Sequence, residues 1–389
     1  MRIALLAPLV SPIAPPFLGG AQALLYDLAS GLAARGHDVT LYGADGSAVP
    51  GVRTPQLGID ASLFTPATFS APDAAASLPP DSDVDDEGDE DDEDVQRPDE
   101  AIYQQTYAFM TVYREIAARA REHDLVHGHA FDWPAFAYGT TQPLPMMHTL
   151  HLPPVDARIA HLLSRLAPVA GGGRARLVTV SRALAESWAP VCRIDAVLYN
   201  GVETGRIPFG ARPDADGYAL FAGRMAPEKG VEDAIQIADR AGTHLLIAGG
   251  VYDQEYFDRH IQPRIAASGG RVRYLGAIPR ADLWRLMAGA VAVLIPSQWE
   301  EPFNLVAAEA QAAGAPVIAY ARGGLREVVA DGETGALVPP GDIAAAADAL
   351  RHAGAFDRAA ARAWIERHFS LAATLDAHER YYRRLIASR

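Results

Sequence analysis

The stretch from Trp299 to Pro340, WEEPFNLVAAEAQAAGAPVIAYARGGLREVVADGETGALVPP, limits the possible folds more than any other part of the chain. Pro302 disfavours the α conformation at Glu301, so any helix must begin after it. Phe303 to Ala313 then reads as a helix with Leu305, Ala308, Glu309 and Ala312 on one face, stopped by Gly314. Pro316 to Tyr320 reads as a short apolar strand. Gly323 and Gly324 form a tight loop into a second helix, Leu325 to Ala330, and Asp331-Gly332 and Thr334-Gly335 close the unit with turns.

Two carboxylates stand out, Glu301 before the first helix and Glu309 two turns into it. At ~1.5 Å of rise per residue they lie roughly 10–12 Å apart along the axis. That spacing suits a bulky ligand held at two ends. It exceeds the ~5–9.5 Å at which hydrolytic carboxylates flank one glycosidic bond. Between them the N–H groups of Asn304, Leu305 and Val306 open a helix, a place that favours an anion such as a diphosphate. The competing reading makes both acids solvated surface groups.

The run E-P-F-x-L-V-x-x-E-A-x-A-x-G-x-P-V-I-A, followed by G-G-x-x-E-V-V-x-D-G-x-T-G-x-L-V, resembles the signature of the family 4 retaining glycosyltransferases. The resemblance implies a GT-B fold: two Rossmann-like α/β domains facing across a cleft, with a C-terminal helix crossing back to the first. It implies that Glu309 binds the donor ribose, that Glu301 holds donor-sugar hydroxyls, and that the amides of residues 304–306 face the diphosphate. Asn304 departs from the family's more frequent Gly, and its side chain is expected to crowd the sugar–phosphate approach. Gln311 stands where Met is common.

With 389 residues, two domains are expected. The boundaries read as 1–204, with an acidic insertion at about 70–100, then 205–370, then a helix over 371–389 returning to the first domain. The formal net charge is −14, but residues 81–94 hold eleven acids and no base, and without them the balance is about −3. Such a run is expected to be disordered. Its D-x-D strings match a metal motif of other glycosyltransferases only in composition, and no metal ligands are assigned. Nothing basic suggests nucleic acid. Arg158, Arg165, Arg174 and Arg176 leave two readings open, a face for lipid head groups or ordinary surface charge. Lone Cys192 excludes a disulfide framework. With no signal peptide and no long apolar run, a cytoplasmic location is expected.

In the first domain, Ile3 to Ala7 reads as a strand, Pro8 to Gly20 as a loop, Ala21 to Ala34 as a helix and Val39 to Tyr42 as a second strand. The loop lacks the G-x-G-x-x-G of nicotinamide-binding folds. It has Gly19-Gly20, which by the resemblance lets Gly20 approach donor phosphate or acceptor. Ala101 to Glu122 reads as a long helix. Asp124-Leu125-Val126-His127-Gly128-His129 resembles the family's D-x-V-H-x-H, which puts His129 beside the donor sugar as a catalytic residue and leaves His127 as buried support. His151, in His148-Thr149-Leu150-His151, resembles a T-x-H position that contacts acceptor. Val197 to Tyr199 reads as the last strand, before Asn200-Gly201-Val202.

In the second domain, Gly223-Arg224-Met225-Ala226-Pro227-Glu228-Lys229-Gly230 resembles the family loop G-R-x-x-x-x-K-G. Arg224 and Lys229 can meet one diphosphate across it and neutralise a departing phosphate. The resemblance also places backbone near Ile278 against the base. The implied activity is metal-independent, front-face transfer of a hexose from a nucleotide-diphosphate sugar, most often UDP-linked, to an acceptor hydroxyl of a small molecule. The nucleotide sugar is a co-substrate, and no cofactor is required. The alternatives are a non-catalytic binding protein of the same fold, a transferase acting on a lipid or polysaccharide, or a glucan synthase or phosphorylase. Shorter length and the absence of a pyridoxal-lysine signal weigh against the last.

Overall fold

Short apolar runs alternating with amphipathic ones give two parallel sheets, each flanked by helices. The structure is a computed structural model that describes residues 1–17, 19–64, 99–165 and 175–388. The acidic run at 81–94 and Arg174 lie outside the described residues. The first domain runs β1 (Arg2–Leu6), α1 (Gly20–Ala34), β2 (Asp38–Tyr42), α2 (Asp99–Ala118), β3 (Leu125–Gly128), α3 (Trp133–Gly139), β4 (Met146–Leu150), α4 (Ala157–Arg165), β5 (Arg176–Thr179), α5 (Arg182–Trp188) and β6 (Ala196–Val197). Its strands lie in the order β2-β1-β3-β4-β5-β6. The inner strands β1, β3 and β4 are almost wholly buried on both faces, as parallel strands covered by helices must be.

The second domain runs β7 (Tyr218–Ala222), α6 (Val231–Ala241), β8 (His244–Ala248), α7 (Gln254–Tyr256), a π turn at Phe257–Ile261, α8 (Gln262–Ala267), β9 (Val272–Tyr274), α9 (Arg280–Gly289), β10 (Ala292–Ile295), α10 (Leu305–Ala312), β11 (Val317–Tyr320), α11 (Leu325–Val328), β12 (Gly335–Val338), α12 (Ile343–Arg351) and α13 (Arg358–His368). The strand order is β12-β11-β10-β7-β8-β9. The last helix, α14 (Leu371–Ala387), packs against α1 and β3 of the first sheet.

Element boundaries differ from the sequence expectation where local chemistry decides them. The long helix ends at Ala118 and passes into a separate 3₁₀ turn, Ala120–Glu122. The helix expected from Phe303 begins at Leu305, because Asn304 takes φ 83° and caps it. Among the elements not read from the sequence are α3, which opens with Pro134 in its first turn, α4, and β12, which is four residues long with a half-buried middle.

The chain crosses between the domains twice, at adjacent points. Val202 donates its N–H to Phe369 O (2.9 Å), and Leu371 donates to Val202 O (2.8 Å). Gly201 is needed there, since a Cβ would lie 2.3 Å from Thr374 Oγ1 and 2.5 Å from Ser370 O. The segment after the first crossing is fastened to the second domain by two arginines of α13. Arg358 donates to the carbonyls of Gly210, Ala288 and Ala290, and Arg362 to those of Thr204, Ile207 and Ala312. One apolar core runs through both domains, joining Leu150, Trp188 and Val202 to Trp284, Val293 and Phe303.

Candidate active site

Both halves of the candidate site are loops at strand ends, where open α/β sheets hold ligands. In the second domain the loop after β7 carries Arg224 and Lys229. Gly230 ends it at φ 72°, pressed so close to the next strand end that a Cβ would meet Pro296 O at 1.9 Å. This seats Lys229 beside Glu301, with Nζ donating to Oε1 at 2.8 Å. Ser297 Oγ donates to the same oxygen at 2.6 Å. Glu301 is only 4% exposed. Burial alone would raise its pKa, but Lys229 and Ser297 outweigh burial and hold it below the ordinary carboxylate value. Lys229 also faces the Trp299 ring, 5.1 Å from its centroid. Arg224 is turned elsewhere. It pairs with Glu228 at 3.2 Å and lies over Tyr252 at 4.6 Å.

The Glu-Pro-Phe loop is held by the glycine pair that follows β11. Gly323 donates to Glu300 Oε2 (2.6 Å) and Gly324 to Glu301 O (2.7 Å). A Cβ on Gly323 would lie 2.3 Å from Glu301 O, so the close approach depends on its being glycine. The loop ends at Asn304, whose left-handed backbone Asn tolerates better than most residues. Its side chain turns back along the helix. Oδ1 accepts from Ala307 N (2.9 Å), capping α10. The N–H groups of Leu305 and Val306 remain unpaired among the described residues.

Glu309 lies inside α10 and is 5% exposed. Arg280, at the start of α9, donates Nε to its Oε1 at 2.8 Å, and its Nη2 lies 2.7 Å from the same oxygen as an ion pair. Burial raises the Glu309 pKa, and Arg280 offsets this only in part, so the carboxyl stays above its ordinary value. Ile278 sits two residues before Arg280, half-buried against the shared core.

The first-domain half is built from rings. His129 follows β3 and is 4% exposed. One ring nitrogen is 3.0 Å from His151 Nε2 and the other 3.2 Å from His127 Nδ1. His127 is bonded in turn to Thr149 Oγ1 and to Tyr382 Oη, both at 2.7 Å. His378, one turn before Tyr382 on the same face of α14, has its ring centroid 5.6 Å from that of His127. Burial, then the neighbouring rings, push His127 and His129 well below the usual histidine value. His151 and His378 fall to about 4, chiefly through burial. At neutral pH the cluster is uncharged. The structure thus joins His129 to His151.

Gly20 opens α1, and a Cβ there would meet Leu305 Cδ1 at 3.3 Å, so the helix starts of α1 and α10 touch across the domains. Sequence reasoning missed Ser297, four residues from its partner Glu301, and Arg280, Asp27, Thr149, His378 and Tyr382, whose partners are distant in the chain. Among the described residues, no group of three or more His, Cys, Asp or Glu could hold a metal ion, and no helix is long and apolar enough to cross a membrane.

Two family models cover most of the chain: Glycosyltransferase Family 4 over residues 18–206 and Glycosyl transferases group 1 over residues 207–367. A glycogen synthase of Mycobacterium tuberculosis is 34% identical over 251 residues, 59% of this chain and 59% of that protein. The match therefore spans under two thirds of that relative. A D-inositol 3-phosphate glycosyltransferase of Mycobacterium marinum is 29% identical over 99% of this chain and 86% of its own. Among solved structures, the Anabaena protein HepE in complex with UDP-glucose aligns with a TM-score of 0.66 at 19% identity, covering 100% of both chains.

Proposed function

The chain belongs to the family 4 glycosyltransferases of GT-B fold, and on that premise we propose that it transfers a hexose from a nucleotide-diphosphate sugar to a hydroxyl of a small acceptor, with retention at the anomeric carbon. The observation that carries this reading is the pair of buried carboxylates on either side of the α10 start, each held by its own cation: Glu301 by Lys229 and Glu309 by Arg280. Acids in surface positions have no need of such partners.

In this reading Glu309 takes the ribose hydroxyls, with backbone near Ile278 against the base. The amides of Leu305 and Val306, together with Lys229 and a re-aimed Arg224, take the diphosphate. Glu301 takes hexose hydroxyls. Gly20 lets the first domain close on the phosphates, and His129 lines the hexose as a neutral ring, with His151 toward the acceptor. The bond from the anomeric carbon to the β-phosphate oxygen breaks. A bond to the acceptor oxygen forms on the same face, and the acceptor's proton passes to the leaving phosphate. No metal or cofactor takes part. Domain closure keeps water from the donor.

UDP is the proposed nucleotide, as in the HepE complex with UDP-glucose. The inositol-phosphate relative, aligned over nearly the whole chain, favours a small acceptor. A second reading, extension of a glucan, is favoured by the higher identity to glycogen synthase over a shorter span. A non-catalytic role drew its support from Asn304 alone, and that side chain is engaged in capping. The test is calorimetric titration with UDP, GDP and ADP, first without metal and then with Mg²⁺. Micromolar, metal-independent binding of UDP is expected. Failure of all three to bind would overturn the reading.

A further inference from the structure

Arg280 joins the domains at the nucleotide end of the site. Besides holding Glu309 of the second domain, it donates Nη1 to Asp27 Oδ2 at 2.8 Å. Asp27 lies on α1 in the first domain and is 4% exposed. The guanidinium lies over the Trp284 ring, 4.8 Å from its centroid. A guanidinium is a rigid planar fork, so fixing one arm fixes the direction of the others. Asp27 and Trp284 therefore set the plane in which Arg280 meets Glu309. Both contacts that Arg280 makes with Glu309 fall on Oε1.

We propose that Asp27 and Arg280 are positioning residues that couple the grip on the donor ribose to closure of the two domains. This rests on the reading that Glu309 holds the ribose. Asp27 reaches Arg280 of α9 in an arrangement in which the starts of α1 and α10 touch, at Gly20 and Leu305. When the domains part, Arg280 loses its far anchor, Glu309 loses its orientation, and the ribose is held less well. By linkage, nucleotide bound through Glu309 favours the closed arrangement to the same degree. A first-domain residue that need not touch the nucleotide thereby contributes to its affinity.

The test titrates UDP and 2′-deoxy-UDP into the full chain and its Asp27→Asn, Arg280→Lys and Glu309→Gln variants, with circular dichroism to confirm folding. Asp27→Asn is expected to weaken UDP about 5- to 10-fold, in the usual range of a coupling between sites. It should weaken 2′-deoxy-UDP less, because the deoxy probe has already lost part of the ribose contact. Arg280→Lys keeps the charge but loses the fork that meets both Asp27 and Glu309, and should weaken UDP at least as much as Asp27→Asn. In the Glu309→Gln background the Asp27→Asn penalty should largely vanish. A penalty that persists there, or is equal for both nucleotides, marks a structural defect and overturns the coupling. Unchanged UDP affinity in Asp27→Asn overturns it too. If Glu309→Gln itself binds UDP like the parent, it is the ribose assignment that fails.

Discussion

The two halves of the site bury polar groups to the same depth and solve the cost in opposite ways. His129 and Glu301 are both 4% exposed. The histidines of the first domain lower their pKa values, shed their charge and hydrogen-bond ring to ring. The carboxylates of the second domain keep cationic partners, Lys229 and Arg280. A buried charge must be neutralised or paired, and each domain uses one of the two options. The difference fits the division of labour proposed above. A diphosphate needs fixed charge around it, whereas a hexose and its acceptor need neutral hydrogen-bonding surface.

Breaking the charged half should have the largest effect. Lys229→Ala leaves Glu301 buried without its cation, and loss of one partner of such a pair costs about 3–5 kcal/mol. Urea unfolding should show that loss, and Lys229→Ala combined with Glu301→Gln should recover part of it. If the double variant is no more stable than the single, the pair is not the source.

Acid should break the neutral half. For these histidines the folded pKa lies below the unfolded value, so their stabilisation is present above about pH 6.5 and is lost as pH falls toward about 4. Each ring contributes a slope of roughly 1 kcal/mol per pH unit in that window. Melting temperature measured from pH 7 to pH 4 should fall steeply, and His378→Asn should flatten the curve. Equal slopes in parent and variant would contradict the assignment. A smaller effect is expected for Tyr382→Phe, which removes the hydroxyl on His127 and costs about 1 kcal/mol. It should lower turnover more than UDP affinity, because the disturbed ring sits behind His129.

The smallest effect is at Asn304. Glycine accepts the left-handed backbone, so Asn304→Gly should change stability by a few tenths of a kcal/mol. Asn304→Ala loses the cap and strains the backbone, and should cost ~1 kcal/mol or more. Thermal unfolding of the two variants checks the order.

The charged half was the more legible in sequence. Glu301, the α10 start and Glu309 lie within one short loop-helix segment, so helical geometry alone relates them. Their cations do not, and which of several arginines meets Glu309 is decided by how α9 packs beside α10. The neutral half hid more. Tyr382 and His378 come from a helix some 250 residues beyond His127, and neither has a local motif. At Asn304 the sequence shows the bulk of the side chain but not its direction, which the positive φ and the bond from Ala307 N–H determine. Both sheets were legible because their strands are short apolar runs punctuated by glycine. The helix ends were less so, since capping moves them by a residue or two.

The division of labour is tested most directly by titrating UDP calorimetrically into Glu309→Ala and His129→Ala side by side. Loss of a charged hydrogen-bonding partner should weaken UDP by about 10-fold or more in Glu309→Ala. His129→Ala should bind UDP within about 2-fold of the parent, since in this reading His129 faces the hexose, which UDP lacks. Equal loss in both variants, or a loss confined to His129→Ala, would contradict the account.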